Sequence, residues 1–420
     1  MARRMIADDA QNSNDNRATL DNLFRRAGVR RSDALALSDP QRSLTYAQAD
    51  RAISAFAARL RALGLSTDAV VALQLPHAVE SVVALLGILR AGMIVAPLPM
   101  LWREQAMTAA LAKAGVKAIV THSALAEVAM QVAAKSFPIR AVAGFGPGLP
   151  DGVVSLDDVF AEGGDHFHPS LRPGNAAAHV AAITFDITAD GIVPVARSHG
   201  ELIAVGRDVF LEDGIADDAT ILSTIPLSSF AGIALALVPW MLSGGTLALH
   251  HGFDPAVFND QRHEQEASVV VLPGPVLTAL ADAGLLDTIK TVLALWRTPE
   301  ALANAKPWQG AAAVIDVICQ GETELRAARR ANDGLPAPVP PTPSSAGITV
   351  VGGYRFRQSD IDAAVAAADP AAIIAALPDA LLGQRLAGSA RDNLAVAAHL
   401  QTRGSNALVA GAFRLRGIDA

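Results

Sequence analysis

The sequence predicts an α/β protein, with a large N-terminal region of parallel sheets covered by helices and a small, shortened α+β C-terminal domain. Short apolar runs that fit buried strands alternate with runs whose apolar residues recur at helical spacing. The strand candidates are apolar throughout, which is typical of parallel strands covered on both faces. A composition break with five prolines lies at 334–347 and indicates a linker. We therefore expect a large domain over 1–333 and a small one over 348–420.

The composition narrows the class of protein. Hydrophobic residues make up 51% of the 420 residues and charged residues 18%, which predicts an extensive core. The net charge of −7 gives no reason to expect a nucleic-acid partner. Cys319 is the only cysteine, so an internal disulfide is impossible and a reducing, cytoplasmic location is expected. Arg3 and Arg4 are followed by polar residues rather than an apolar segment, which argues against a signal peptide.

One apolar segment has the length of a membrane span. Residues 230–249 are nearly all apolar, but Pro239 and the Gly244–Gly245 pair interrupt them. A buried helix, a turn and a strand at 246–249 explain the segment better. We therefore expect no membrane span.

Helices and strands alternate along the first 121 residues. Thr45 and Gln48 have the spacing of a capping box, and Gly64 can end the helix that they begin. The expected helices lie at about 20–27, 45–63, 79–91 and 105–114, and the expected strands at 34–37, 42–46, 70–75, 94–97 and 117–121.

The same alternation continues through the rest of the chain. Ser359 is the expected cap of a helix in the C-terminal domain, and Pro378–Asp379 is an expected turn. The other elements are strands at 221–225, 268–272, 291–295, 314–319, 348–351 and 371–376, and helices at 276–285 and 359–366.

Residues 182–201 are the central stretch for function. An apolar strand signal at 181–185 is followed by small and turn-forming residues, then by Ser198 and His199 before a helical pattern. A strand, loop and helix in this order can present backbone N–H groups to a phosphate.

Several motifs together resemble the AMP-forming adenylating superfamily of acyl-CoA synthetases, peptide-synthetase adenylation domains and luciferases. The motifs are Leu44-Thr45-Tyr46, the run 71–76, the runs 84–92 and 95–98, Pro226-Leu227 with Gly232, the run 242–247, the run 352–356 with 360–362, and Pro378-Asp379 with Gly383. The resemblance implies formation of an acyl-adenylate from ATP and a carboxylate with Mg²⁺, usually followed by transfer of the acyl group to a thiol such as CoA. It also implies that a small carboxylate or acyl thioester is the partner, and a homodimer is possible.

The family's phosphate loop has the pattern T-S-G-T-T-G-x-P-K-G, which this resemblance places on Phe185 to Pro194. The resemblance assigns Thr188 to catalysis and Thr184 and Gly191 to cofactor binding. The stretch has no lysine, and Asp186 and Asp190 add negative charge. Two carboxylates beside a triphosphate would oppose its binding by several kcal/mol, on the order of the Coulomb energy at low effective dielectric. The alternatives are an ATP phosphate cradle and a remodelled structural loop, and the residues favour the second.

A second motif resembles the family's Y-G-x-T-E. Gln320, Gly321, Glu322 and Thr323 are the implied cofactor-binding residues, and Glu324 is the implied catalytic residue and Mg²⁺ ligand. Gln320 replaces an aromatic residue and removes a stacking surface for adenine. The alternative is a solvated turn after the strand.

The implied substrate pocket contains Ser229, Gly232 and Trp296. Ser229 stands where many relatives have a histidine, although a helix cap explains it equally well. His199 fits a helix-start histidine better than a catalytic one. His250 and His251 have no Cys or third His nearby in the sequence, which argues against a metal site.

Two motifs of the family have no counterpart. These are the ribose-binding aspartate before the linker and the final catalytic lysine, since no lysine follows Lys306. Arg414 and Arg416 are candidate substitutes, although arginine and lysine are not equivalent. The sequence therefore predicts an acyl-CoA synthetase-like protein with an eroded ATP site and weak or absent adenylation. The alternative is a non-catalytic protein that binds an acyl group, acyl-CoA or a nucleotide.

Overall fold

The computed structural model of the chain describes residues 18–161, 176–212, 214–338, 347–379 and 383–414, and the account below concerns those residues. They form an eight-stranded sheet, a seven-stranded sheet and two separate two-stranded hairpins. In chain order the strands are β1 (Leu35–Ser38), β2 (Ser43–Thr45), β3 (Val70–Gln74), β4 (Ile94–Pro97), β5 (Ala118–His122), β6 (Ala141–Phe145), β7 (Val154–Ser155), β8 (Val180–Thr188), β9 (Gly191–Ser198), β10 (Thr220–Ser223), β11 (Thr246–Leu249), β12 (Val269–Pro273), β13 (Thr291–Trp296), β14 (Ala313–Gln320), β15 (Glu324–Arg329), β16 (Ile348–Val351), β17 (Tyr354–Arg357), β18 (Ile373–Asp379) and β19 (Gly383–Ser389).

Helices lie between most of these strands. They are α1 (Leu20–Arg30), α2 (Tyr46–Ala62), α3 (Val79–Arg90), α4 (Glu104–Ala114), α5 (Ala126–Lys135), α6 (His199–Glu212), α7 (Phe230–Gly232), α8 (Val238–Ser243), α9 (Pro255–Glu264), α10 (Leu277–Asp282), α11 (Pro299–Ala303), α12 (Gln358–Ala368), α13 (Asn393–Thr402) and α14 (Ala407–Gly411). A π-helical segment, Ile233–Leu237, joins α7 to α8. The predicted capping box of α2 is present, with the Thr45 hydroxyl accepting from the Gln48 N–H.

Both large sheets are mainly parallel and end in antiparallel strands. The seven-stranded sheet has the order β7-β6-β5-β3-β4-β8-β9, and only β9 runs antiparallel to its neighbour. The eight-stranded sheet has the order β15-β14-β13-β12-β10-β11-β1-β2, with antiparallel pairs at both edges. The predicted fold class is therefore confirmed, with antiparallel edges that the sequence did not indicate.

The N-terminal strands belong to the sheet that the later part of the chain builds. Leu37 of β1 pairs with Leu247 of β11, about half the chain away. An aromatic cluster of Phe24, Tyr46 and Trp240 reinforces this connection, with ring centroids 5.7 to 6.0 Å apart. The Tyr46 hydroxyl and the Trp240 indole N–H both donate to the Gly245 carbonyl, at 2.9 and 3.0 Å. One hydrophobic core consequently runs across both large sheets.

The predicted loop at 186–194 is instead a tight hairpin. Strands β8 and β9 pair from Val180 and Ser198 to Thr188 and Gly191, and leave only Ala189 and Asp190 at the tip. The expectation of a strand, an open loop and a helix is therefore wrong. The sheet continues through the region because antiparallel pairing satisfies the main-chain groups of both segments.

The C-terminal residues contain two hairpins, β16–β17 and β18–β19, packed with α12 to α14 around their own apolar core. The predicted strand at 348–351 has the predicted bounds. Helix α12 begins at Gln358 rather than after Ser359, and its cap residue Arg357 makes no side-chain capping bond. Pro378–Asp379 lies within β18 and is not a turn. Of the predicted linker, residues 339–346 lie outside the described residues.

No helix in the described parts of the chain is long and apolar enough to cross a membrane. The apolar segment at 230–249 forms α7, the π segment, α8 and β11, with Pro239 in the first turn of α8. The predicted helix, turn and strand are therefore confirmed.

Candidate functional site

The turn between β14 and β15 lies directly against strand β8. Gly321 begins this turn with a φ of +55°, in the left-handed region that favours glycine. A Cβ atom at Gly321 would lie 2.6 Å from the carboxyl carbon of Asp186, which is only 7% exposed. The carboxylate of Asp186 therefore fills the space beside the turn.

Glu322 is a second buried carboxylate in the same turn. Its side chain accepts the Phe230 N–H at 2.6 Å and lies 3.5 Å from the Arg297 guanidinium. Burial raises the pKa of Glu322, while Arg297, the Phe230 N–H and the neighbouring Thr184 oppose that shift and Asp186 adds to it. Glu322 thus joins the turn to the start of α7 rather than facing solvent.

Arg297 follows β13 and covers the turn from the side of the eight-stranded sheet. Its Nη1 lies 3.3 Å from the Gly321 carbonyl and 3.5 Å from the Cys319 sulfur. Burial raises the pKa of the Cys319 thiol to about 11, although the Arg297 charge opposes the shift. The thiol is therefore protonated at neutral pH and is not a nucleophile there.

Arg197, on β9, reaches the turn from the other sheet. Its Nη2 donates to the Glu322 carbonyl and, at 3.1 Å, to the Thr323 carbonyl. The guanidinium also lies over the Phe230 ring, with its central carbon 3.7 Å from the ring centroid. Arg197 consequently joins β9, the turn and α7.

The hairpin β16–β17 supplies two more arginines. The Nε atom of Arg355 lies 3.6 Å from an Asp186 carboxylate oxygen, and Arg357 donates to the Ala189 carbonyl at 3.2 Å. Gly353, between the two strands, lies beside the Arg297 side chain. The C-terminal hairpin therefore rests on the tip of β8–β9 and on the turn.

We define the Gly321 cluster as Asp186, Glu322, Arg197, Arg297 and Arg355 around the Gly321 turn. It contains three guanidinium groups and two carboxylates, which leaves one formal positive charge. Both acids contact groups of the chain itself: Arg355 and the Ile187 N–H for Asp186, and Arg297 and the Phe230 N–H for Glu322. Most of the electrostatic interactions in the cluster are thus internal.

The residues predicted for the phosphate loop serve the hairpin instead. The Thr188 hydroxyl donates to the Gly191 carbonyl at 3.3 Å and accepts the Asp190 N–H at the same distance. Gly191 has a φ of +107° and pairs with Thr188 across the tip. Thr184 is 1% exposed and lies in the middle of β8. Thr184 and Glu322 are brought together, whereas Thr188 and Gly191 lie at the tip.

Glu324, the predicted metal ligand, is partly exposed and pairs with an arginine of its own strand. It opens β15 opposite Gln320, and its carboxylate pairs with Arg326 at 2.5 Å with 41% of the side chain exposed. The Thr323 hydroxyl donates to the Gln320 carbonyl at 3.1 Å and stabilises the turn. No cluster of three or more His, Cys, Asp or Glu side chains that could hold a metal occurs in the described ranges.

The three predicted pocket residues have structural contacts. The Ser229 hydroxyl caps α7 by accepting the Gly232 N–H at 3.2 Å. Gly232 packs so closely on the loop before it that a Cβ would lie 2.7 Å from the Pro226 carbonyl carbon. The Trp296 indole N–H donates to Asp316 at 2.8 Å, inside the core on the eight-stranded sheet. The assignment of Ser229, Gly232 and Trp296 to a substrate pocket therefore stays a prediction, beside the structural contacts that each residue makes.

His199 and His250 both make hydrogen bonds within the chain. The Nδ1 atom of His199 accepts the Leu20 N–H at 3.3 Å, as expected of a histidine with a structural role at a helix start. His250 contacts Gln261 at 2.6 Å and accepts the Asp254 N–H at 3.2 Å. Arg414 donates to Gln401 within the C-terminal unit, by which we mean the described residues from 347 onward. Arg416 lies outside the described residues.

The arginines of the Gly321 cluster were missed by the sequence reasoning. Arg297 carried a usable signal, since it directly follows a buried parallel strand, where ligands meet the edge of such sheets. Arg197 and Arg355 carried none, because their partners lie on other elements.

The structure does not fit a magnesium-bound triphosphate at this turn. Asp186 fills the space beside Gly321, and the N–H groups of Ile187 and Asp190 donate to side chains of the hairpin itself. Phosphate cradles need free N–H groups and positive charge, both of which are already used here.

Comparison with known proteins supports the resemblance. Residues 24–167 match the family model of the AMP-binding enzymes. The feruloyl-CoA synthase of an Amycolatopsis species is 28% identical over 240 residues, which are 55% of this chain and 44% of that protein. The nonribosomal peptide synthetase gliP of Aspergillus fumigatus is 24% identical over 257 residues, which are 53% of this chain and 12% of that protein. The chain thus spans less than half the length of these two curated relatives.

Solved structures share the fold. Apo MbtA of Mycobacterium smegmatis matches with a TM-score of 0.66 and 19% identity, over 93% of this chain and 90% of that one. A putative long-chain-fatty-acid CoA ligase of Rhodopseudomonas palustris matches with a TM-score of 0.61 and 18% identity, over 74% of this chain and 78% of that one. At these identities the likeness establishes the fold, and the family-model match ends before β8. The chain is thus similar to the AMP-forming adenylating enzymes, with the family-model match confined to residues 24–167 and the shared fold extending beyond it.

Proposed function

We propose that this protein is an acyl-CoA synthetase-like member of the superfamily whose ATP site is eroded and whose adenylation of carboxylates is weak or absent. One observation carries the proposal: the Asp186 carboxylate lies against Gly321 and is joined by Arg355, where a bound polyphosphate would need space and free cations. Arginine clamps stabilise a transferring phosphoryl group when they are free to reach it. Here their contacts are to the chain itself.

The names of the relatives support a proposal for the substrate class. The feruloyl-CoA synthase and the long-chain-fatty-acid ligases act, by their names, on carboxylic acids that become CoA thioesters. We propose a small-molecule carboxylate or acyl thioester as the ligand of this chain, with CoA as a possible acceptor. If adenylation persists, Thr188 and Glu324 are the proposed catalytic residues, and Glu324 would hold Mg²⁺ only after release from Arg326.

The competing proposal is a protein that binds an acyl group, acyl-CoA or nucleotide without chemistry. The Gly321 cluster also supports this alternative. Its arginines already contact groups of the chain itself, and binding without chemistry does not require a free cation. Binding without turnover separates it from a slow ligase.

The test combines binding and exchange. Calorimetry with Mg²⁺-ATP is followed by carboxylate-dependent exchange of labelled pyrophosphate into ATP, over aromatic and aliphatic acids. We expect weak ATP binding and exchange reduced by at least about 10²–10³-fold relative to an active ligase, the loss that follows removal of one preorganised donor. Tight ATP binding with ordinary exchange would refute the proposal.

Glu324→Gln and Glu127→Gln form a matched pair for any residual exchange. Glu127 is an exposed glutamate on α5, far along the chain from the Gly321 turn. Loss of exchange in Glu324→Gln alone would assign the metal to Glu324. Equal activity in the two variants would contradict that assignment. Binding of acyl-CoA with no exchange in the native protein would favour the non-catalytic alternative.

A further inference from the structure

The Gly321 cluster contains an internal anion in a position from which it competes with a ligand. Asp186 is 7% exposed, and its carboxylate lies against the one residue of the turn that has no side chain. Because Gly321 adopts a φ of +55°, both its conformation and its close approach require glycine. The molecule is therefore shaped to receive a carboxylate-sized anion at this point.

The cations around that point come from three separate elements. Arg197 is on β9, Arg297 follows β13, and Arg355 is on β17. All three arginine side chains are at least partly buried, so water screens their charges only weakly. Neutralising Asp186 would raise the formal charge of the cluster from one to two positive charges, and such a site attracts an anion.

Arg355 also links the cluster to the C-terminal hairpin. It pairs with Asp186 at 3.6 Å, while Arg357 on the same strand donates to the Ala189 carbonyl at 3.2 Å. These two arginines join β17 to β8 and to the tip between β8 and β9. The position of the hairpin β16–β17 over the turn is thus coupled to the charge of one buried side chain.

We propose that Asp186 is an autoinhibitory anion, which holds Arg355 and the C-terminal hairpin over the Gly321 turn and competes with pyrophosphate-like anions for the arginines of the cluster. The inference deepens the proposed function, since it assigns the block at the same site to one residue. It concerns anion binding and hairpin position rather than turnover.

The first experiment measures pyrophosphate binding by calorimetry in low salt without metal. Asp186→Asn keeps the size of the side chain and removes its charge, and Asp190→Asn is the matched control on the same hairpin, where Asp190 is exposed. We expect about a tenfold gain in pyrophosphate affinity for Asp186→Asn, the worth of one added charge-assisted hydrogen bond, and little change for Asp190→Asn. The gain should disappear in the double variant Asp186→Asn, Arg355→Gln.

The second experiment follows the hairpin and does not need Asp186 to be altered. Spin labels on Val193→Cys and Leu394→Cys, both exposed, report the distance between β9 and α13, while the buried Cys319 stays unlabelled. Arg355→Gln should broaden the distance distribution, and Arg403→Gln, at an exposed residue of the C-terminal unit, should leave it unchanged.

Three results would overturn the inference. They are equal pyrophosphate affinity in folded Asp186→Asn and the native protein, a gain that persists without Arg355, and an unchanged distance distribution in Arg355→Gln. Ordinary adenylation by the native protein would instead refute the proposed function, and it would leave these binding and distance measurements to decide the inference on their own.

Discussion

The contact between Gly321 and Asp186 makes a quantitative prediction for Gly321→Ala. An L-residue at a φ of +55° costs about 1–2 kcal/mol in the left-handed region. The added Cβ would also lie 2.6 Å from the Asp186 carboxyl carbon, and overpacking of this kind costs about 1–3 kcal/mol. We therefore expect Gly321→Ala to lower the free energy of unfolding by about 2–5 kcal/mol.

Gly64→Ala is the matched control. Gly64 has a φ of +75°, but a Cβ there would meet no atom within 4 Å. Only the backbone cost should appear, so the loss should be about 1–2 kcal/mol. Equilibrium urea unfolding of the two variants measures the difference, which isolates the steric part.

A double-mutant cycle identifies the residue that Gly321→Ala meets. In an Asp186→Ala background the overlap is relieved, so the cost of Gly321→Ala should fall by about 1–3 kcal/mol. In the same background, the cost of Gly64→Ala should differ by no more than about 0.5 kcal/mol from its cost in the native protein. Equal losses for the two glycines, or full additivity of Gly321→Ala with Asp186→Ala, would refute this description of the turn.

The remaining predictions concern three buried groups. Burial lowers the pKa of His77 to about 3, with further lowering by His251, so the folded state binds fewer protons than the unfolded state between pH 6.5 and 3. The free energy of unfolding should therefore fall as the pH drops, by about 2–3 kcal/mol at pH 4.5. Urea unfolding at pH 7 and pH 4.5 should show that His77→Gln removes this contribution to the pH dependence. The same pH dependence in His77→Gln and in the native protein would contradict the prediction. Asp316→Ala breaks a fully buried ion pair with Arg330 at 2.8 Å and should cost about 3–5 kcal/mol in the same assay, whereas Arg59→Ala, at an exposed ion pair, should cost at most about 1 kcal/mol. The Cys319 thiol, with its pKa raised to about 11, should not react with a disulfide reagent at pH 8 until urea unfolds the chain, and fast reaction of the native protein would be inconsistent with its burial.

Signals from residues close together in the sequence predicted many of the helices and strands. The capping box of Thr45 and Gln48 depends on residues three positions apart, and the structure contains both of its hydrogen bonds. Most of the buried parallel strands were found because both of their faces are apolar, but β6 at Ala141–Phe145 was not predicted. Strand β9 was missed, since its side chains are half-buried or exposed without a regular alternation.

The candidate site was predictable only in part. The turn at Gly321 followed from a short motif, but its partner Asp186 lies 135 positions earlier and Arg355 lies later, on a hairpin of the C-terminal unit. Spacing along the chain gives no information on such pairs, because the topology of the sheets brings them together. The sequence therefore showed the shortage of lysines and missed the three arginines that surround the turn.

Pairing of β1 with β11 has a consequence for synthesis of the chain. Leu37 leaves the ribosome about 210 residues before its partner Leu247, and at about 5–20 residues per second the delay is about 10–40 s. During that time β1 and β2 can form only their own hairpin, which is marginal in water when it has no further strands to join. Such high contact order slows folding and leaves an apolar edge open to other chains. The N-terminal strands are therefore where nascent copies of this protein would most need a chaperone.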